Sequence, residues 1–268
     1  MLGRLMALGR PVVMGVLNVT PDSFSDGGRF LEPERAIEQA RRMVADGADI
    51  VDIGAESTRP YGGAVAVPIE EEIRRLQPVL PAAAALGTPV SIDTMKAPVA
   101  EAALLAGASI VNDVWGLQHD PDMARVVAEH SAPVVIMHNR EAIDPAIDIM
   151  ADIATFFSRS LLIAERAGIA HDNIVLDPGI GFGKTPEQSI TAIARLAELE
   201  SFGLPLLVGA SRKRFIDRVS PAPPHQRLGG SIASHLIAVA NGATIVRTHD
   251  VAETVQALKV AAAIRGAR

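Results

Sequence analysis

Short runs of apolar, mostly β-branched residues recur along the whole chain, at 12–17, 49–53, 89–92, 109–112, 133–137, 173–176, 204–208 and 244–246. Each has the length of a buried strand. Between them the apolar positions take helical spacing. In 34–46, Ile37, Ala40, Met43 and Val44 fall on one face. Further helices are predicted at 69–86, 98–106, 121–129, 146–167, 186–200, 228–241 and 251–264. Several of them stop at a glycine followed by a small residue (Gly47, Gly107 and Gly242), where a left-handed residue ends a helix. Pro33, Pro98, Pro121 and Pro186 stand where a first helical turn would begin. Eight strand–helix units in 268 residues are the count of a (β/α)8 TIM barrel. No linker rich in Gly, Ser or Pro interrupts them, so a single domain over 1–268 is expected. A doubly wound open sheet would usually carry fewer strands and one glycine-rich nucleotide turn, and no such turn is found.

Composition narrows the class. Hydrophobic residues make up 49% and aromatics only 3%, so Ala, Val, Ile and Leu must do the packing, which suits a parallel sheet covered on both faces. There is no cysteine, which excludes disulfides and thiolate metal sites and lends no support to secretion. The apolar run within 1–10 is too short for a signal-peptide core, and no stretch approaches the ~20 apolar residues of a membrane span. A cytoplasmic protein without a membrane partner is expected. The net charge of −6 argues against non-specific nucleic-acid binding. An anionic substrate would need a local basic pocket.

Two connections, 18–30 and 55–67, are long, polar and glycine-bearing, and each follows the carboxyl end of a strand, the face where barrel enzymes place their chemistry. All eight strands end in polar residues: Asn18; Glu56 and Ser57; Asp93; Asn112 and Asp113; His138; Asp177; Ser211, Arg212 and Lys213; Arg247 and His249. Asp93, Asn112 and Asp177 could hold a heterocycle with amidine-like N–H donors, because a buried carboxylate needs such partners. Arg212, Lys213, Arg247 and His249 could neutralise a phosphate. The combination suggests a ligand with a planar donor head and an anionic tail. Blander readings stand beside these. Asp177 in Asp-Pro-Gly could only form a turn, Asp93 could cap the helix near Lys96, and Lys213 with its Arg neighbours could be a solvated cluster. Gly183-Lys184 lacks the earlier glycine of a P-loop, where Pro178 stands. His119, His130, His171, His225 and His235 read as structural or surface residues, and His138 is open. No histidine pair has metal spacing.

The motifs resemble those of the dihydropteroate synthase family. The stretch from Met14 to Gly28 is similar to its first signature, and Asp52-Ile-Gly-Ala-Glu-Ser-Thr-Arg-Pro60 to its second-loop signature. Matches continue at Ser91-Ile-Asp-Thr94 with Lys96, Asn112-Asp113, Met137-His138, Asp177-Pro-Gly-Ile-Gly-Phe-Gly-Lys184, Gly209 to Phe215 and Arg247-Thr-His249, in family order over almost the whole chain. Ala55, Tyr61 and Arg214 depart mildly from the family pattern.

The resemblance implies a pterin-binding TIM barrel, usually a homodimer. It would join (7,8-dihydropterin-6-yl)methyl diphosphate to p-aminobenzoate, with loss of pyrophosphate, in folate biosynthesis. By the same resemblance Asp93, Asn112, Asp177 and Lys213 hold the pterin, and Arg247 stacks on it and reaches phosphate. Asn18 ligates magnesium, and His249 contacts the diphosphate. Met137 and Phe182 shape the pocket. Phe24, Thr58, Arg59 and Pro60 close over p-aminobenzoate, and Ser211 with the helix after it meets the carboxylate. Sulfonamides, which mimic p-aminobenzoate, are expected to bind. Diphosphate departure leaves a methylene cation that Asp26 could stabilise, and the long loops could exclude water from it. The neutral arylamine then attacks without a strong general base. Two rivals are weighed. A pterin-dependent methyltransferase would not need the two loops or the element from Ser211 to Lys213. A non-catalytic paralogue should have lost Asn18, Asp26, Arg59 or Lys213, and all four are present.

Overall fold

The computed structural model describes residues 1–20, 32–56 and 67–267. Among them the strands β1 (Val12–Asn18), β2 (Ile50–Gly54), β3 (Val90–Asp93), β4 (Ile110–Asp113), β5 (Val134–Met137), β6 (Ile174–Asp177), β7 (Leu207–Val208) and β8 (Ile245–Thr248) form one parallel sheet. The spatial order is β6-β5-β4-β3-β2-β1-β8-β7. Leu176 of β6 bridges to Leu206, just before β7, and its N–H donates to the Pro205 carbonyl at 2.9 Å. The two ends of the sheet therefore meet, and helices alternate with the strands around the outside. This is the (β/α)8 barrel that the eight-fold pattern predicts.

Closure turns the two-residue period of each strand into an inside and an outside. Val51, Ile53, Val111, Val134, Ile136, Leu176, Val208 and Val246 point outward into the main core shared with the helices. Met14, Ile50, Ile110, Val135, Val175, Leu207 and Ile245 gather in a separate inner cluster. Two residues farther along these inner rows stand Asp52, Asn112, Met137, Asp177 and Arg247. The barrel lumen is thus apolar at its amino end and polar at its carboxyl end. The register keeps the polar positions level: Asn18 pairs with Gly54, Gly54 with Asp93, Asp93 with Asn112, and Met137 with Asp177.

Several boundaries differ from the expected ones. Most strands run on into the polar residue that ends the apolar run, such as Asn18, Asp93 or Asp177, because backbone pairing is indifferent to side-chain polarity. The 204–208 run contracts to Leu207–Val208, since Pro205 has no N–H for a ladder. The helix expected over 69–86 is two, Ile69–Leu76 and Leu80–Ala84, because Pro78 lacks the donor that would continue the first. The 186–200 helix ends at Ala194 and continues as the tighter 3-10 turn Leu196–Phe202. The helix foreseen from 121 begins only at Met123. Gly47, Gly107 and Gly242 are left-handed, as the punctuation implied. A short helix not foreseen, Leu2–Met6, inserts Leu2 and Leu5 into the inner cluster and plugs the amino end of the barrel.

Candidate active site

One cavity at the carboxyl end brings the two predicted chemical types together. Asp93, Asn112 and Asp177 face Lys213 and Arg247 across it, with Met137, Ile180 and Phe182 as apolar walls. A larger hollow at the other end of the barrel, between Met6, Arg10, Thr244 and Arg265, lies against the amino ends of the strands and holds no comparable set of acceptors. Strand geometry therefore favours the smaller cavity.

Arg247 is the centre of the polar layer. Its Nε donates to Asp52 Oδ2 and its Nη2 to Asp93 Oδ2, both at 2.6 Å. Burial works against the Arg247 cation, and Asp52 and Asp93 outweigh it, so its pKa is raised. Asp52, fully buried, also accepts from Asn112 Nδ2 at 3.1 Å. Burial pushes the Asp93 carboxyl up to about 7, with Arg247 opposing and Asp52 adding like-charge repulsion. Two carboxylates thus share one guanidinium, and Asp93 Oδ1 has no hydrogen-bond partner although it is buried. A buried acceptor without a donor is a place for a ligand N–H. Asp93 does not act as a helix cap: Ala97 N–H donates instead to Asp120 Oδ2 at 2.8 Å.

Asp177 does both things the sequence allowed. Its Oδ1 accepts from Gly179 N–H at 2.7 Å, forming the turn, and the side chain still lines the cavity. Burial raises its pKa to about 6, opposed by that N–H and then by Lys213. Lys213 is no solvated cluster, since its Nζ sits 4.1 Å from the centre of the Phe182 ring. Its neighbour Arg212 adopts a left-handed φ of 57° and pairs with Asp250 at 3.1 Å through Nε. That turn presents Ser211 and Lys213 on the rim while Arg214 points to solvent.

His249 stands beside the cavity wall. Its Nδ1 lies 3.0 Å from Ser211 Oγ, and Ser211 also accepts the His249 backbone N–H at 3.2 Å. Burial, followed by Arg247, Arg212 and Lys213, pulls the imidazole down to about 3, so His249 offers a neutral ring rather than the cation read from the sequence. Asn18 ends β1, half-buried at the rim. No cluster of three His, Asp or Glu able to hold a metal exists among the described residues. Among the described residues, the amide oxygen of Asn18 could serve a magnesium ion whose other ligands come from substrate phosphate and water, an arrangement this hard cation tolerates. Phe24, Asp26, Thr58, Arg59 and Pro60 lie outside the described residues.

Sequence reasoning missed three parts of this layer. Asp52 was within a quoted motif but had no role; the signal was a carboxylate inside an otherwise apolar strand, which only a buried cation could tolerate. A second group joins Lys96 Nζ to Glu56 at 2.7 Å, Glu72 at 2.8 Å and the Val67 carbonyl at 2.6 Å. Glu56 also accepts Val67 N–H at 2.9 Å, linking the residues that flank 57–66. The third, around Lys184 and His138, is buried below the loop 178–183.

Residues 14–249 match the family described as pterin binding enzyme. The chain is 46% identical over 252 residues to the dihydropteroate synthase of Bacillus subtilis (strain 168), covering 94% of this chain and 87% of the relative. Two solved structures overlay closely. Dihydropteroate synthase from Clostridium difficile in the presence of pteroic acid gives a TM-score of 0.92 at 48% identity, covering 96% of this chain and 97% of the other. The Yersinia pestis enzyme with a sulfonamide drug complex gives 0.89 at 43%, covering 97% and 96%.

Proposed function

The chain belongs to the dihydropteroate synthase family, and from that premise we propose how its own residues divide the work. The enzyme is a transferase of folate biosynthesis, condensing (7,8-dihydropterin-6-yl)methyl diphosphate with p-aminobenzoate to give 7,8-dihydropteroate and pyrophosphate. The observation that carries the reading is the single cavity in which Asp93, Asn112 and Asp177 face Lys213 and Arg247.

The flat pterin enters edge-on. Its amidine N–H groups donate to the Asp177 carboxylate and to the orphan Asp93 Oδ1, with Asn112 beside them. Phe182 and Met137 supply the apolar walls, and Arg247 lies against the ring with its charge directed to the diphosphate. At the methylene, the C–O bond to diphosphate breaks and its electron pair leaves with the anion. The cation that remains is delocalised into the dihydropterin. The arylamine lone pair then forms the C–N bond, and its proton passes to solvent or to the departed diphosphate. The amine is already neutral near pH 7, so no side chain must deprotonate it, and the neutral His249 fits that requirement. Lys213 and Arg247 hold negative charge where it accumulates.

Asn18 is proposed to ligate magnesium, which when bound supplies further neutralisation of the leaving group. Asp26 is proposed to face the methylene cation. Phe24, Thr58, Arg59 and Pro60 are proposed to contact p-aminobenzoate, with Ser211 and the helix Arg214–Val219 near its carboxylate. Sulfonamides are proposed to occupy that same subsite. A cytoplasmic homodimer is the proposed working form, and the apolar side chains of Ile237, Val260 and Ile264, exposed on the last two helices, support a second copy there. A coupled pyrophosphate-release assay tests the reaction. Release that requires both the pterin diphosphate and p-aminobenzoate is expected; release with either one alone, or none, overturns it.

A further inference from the structure

Lys184 is almost fully buried, and the reaction as derived above gives it nothing to do. Its Nζ donates to the Gly179 carbonyl at 3.0 Å and the Phe182 carbonyl at 3.1 Å, and lies 2.6 Å from His138 Nδ1. Burial lowers the Lys184 pKa to about 7, but the Asp152 carboxylate on the far side of the ring can only accept, so Nδ1 presents its lone pair and the lysine donates to it. The imidazole proton is then on Nε2, which donates to Asp152 Oδ2 at 2.9 Å. Asp152, part-exposed on the helix Ile149–Ala167, is held in turn by Arg140 at 2.8 Å. The relay has one direction, from Lys184 through neutral His138 to Asp152. Burial, with Lys184 next, keeps His138 uncharged by pulling its pKa down to about 3.

The loop above this ammonium carries part of the pterin pocket. Gly179 has a φ of 65°, and a Cβ there would fall 1.9 Å from the His138 carbonyl. Gly183 has a φ of 55°, with Arg140 Cβ 2.5 Å from its would-be Cβ. The loop is therefore pressed onto 138–140. Phe182 N–H closes it by donating to Gly179 O at 3.0 Å, the same oxygen that Lys184 reaches. Asp177 is tied to its start through Gly179 N–H, and Lys213 rests on the Phe182 ring at its end.

We propose that Lys184 is a positioning residue for pterin recognition: through the Gly179 and Phe182 carbonyls it fixes the loop 178–183, and so sets the places of Asp177, Phe182 and Lys213, with His138 and Asp152 aligning the ammonium. The proposal rests on the synthase reading for its ligand. It differs from a general packing role in predicting a loss specific to one substrate.

The variant Lys184→Met keeps the aliphatic stem and removes the donors. By calorimetry with the pterin diphosphate alone, its Kd is expected to rise by about tenfold or more over the unmodified enzyme, while KM for p-aminobenzoate stays within about twofold. Asp152→Ala, at a part-exposed position, is expected to shift the pterin Kd in the same direction by a smaller factor. A folded Lys184→Met enzyme with unchanged pterin Kd overturns the proposal, as does an equal rise for both substrates. Should Lys184→Met fail to fold, Asp152→Ala decides, and an unchanged pterin Kd there overturns it. If the unmodified enzyme binds the pterin diphosphate without turning it over, only the synthase reading fails and the variants still test the pin. If it does not bind, both fall.

Discussion

Removing the Asp52 carboxylate tests whether the polar layer is held from below. Asp52 is fully buried behind the cavity wall, where it accepts from Arg247 Nε at 2.6 Å and from Asn112 Nδ2 at 3.1 Å. In Asp52→Ala the guanidinium keeps only Asp93, and the Asn112 amide loses an acceptor. Breaking one partner of a buried ion pair typically costs ~3–5 kcal/mol. Because Asp93 still neutralises Arg247, the low end applies, about 3 kcal/mol by that bracket. For a chain of this size each kcal/mol moves Tm by ~2–4 °C, so a fall of roughly 6–12 °C is expected. The pterin site suffers separately. Two hydrogen bonds that orient Arg247 and Asn112 disappear at about 1 kcal/mol each, which weakens pterin binding about 30-fold. Denaturant unfolding and pterin calorimetry measure the two effects on one preparation. Asp52→Asn, which retains an oxygen acceptor without the charge, should fall between. A stability loss under about 1 kcal/mol in Asp52→Ala, with pterin affinity within about threefold, would refute the idea that Arg247 leans on this carboxylate.

Acidification should weaken pterin capture. The free enzyme's Asp177 titrates near 6, and below that value the protonated carboxyl loses acceptor capacity, so kcat/KM for the pterin diphosphate is expected to fall as pH drops through about 6; a flat profile from 5 to 8 contradicts this. Stability should move the other way. Asp113 and Asp177 have folded values raised by burial to about 6, so the unfolded chain releases their protons first, and their contribution is present below the unfolded value near ~4 and lost as pH rises through about 6. Gly179→Ala forces a side chain into the His138 carbonyl from a left-handed backbone and should cost about 3 kcal/mol while largely abolishing pterin binding; calorimetry showing wild-type affinity would contradict the loop geometry. Chelation of divalent ions should stop turnover and magnesium should restore it, while Asn18→Ala and Asp26→Ala should cut kcat far more than they change the unfolding midpoint. Full activity in purified Asp26→Ala removes the loop-carboxylate idea.

The barrel and most of its rim were legible because both follow from local rules. Apolar runs of three to six residues show where strands lie, and the polar residues that close or soon follow each run show what the carboxyl face carries. The spacing within a strand says more than the runs alone. Ile50 and Asp52, Ile110 and Asn112, Val175 and Asp177, Ile245 and Arg247 are each two residues apart, so once the sheet closes, an apolar inner layer must lie directly beneath a polar one. What stayed hidden were pairings without a local pattern. Arg247 meets Asp52 across 195 positions, and Lys184 meets His138 across 46. Taken alone, Arg247 reads as a free cation and Lys184 as the end of a failed phosphate loop.

These hidden pairs share a physical logic with the visible ones. A ligand-binding carboxylate such as Asp93 must stay partly unsatisfied in the free enzyme, since an acceptor fully used by the protein has nothing left for a pterin N–H. Asp93 is kept in place through its other oxygen, by an Arg247 that is itself held within the protein. Asp52 engages Arg247 and Asn112 from below, and Lys184 engages the loop carbonyls from the side. The binding surface can therefore remain open and still be rigid, because the residues that fix it are not the residues that touch the substrate.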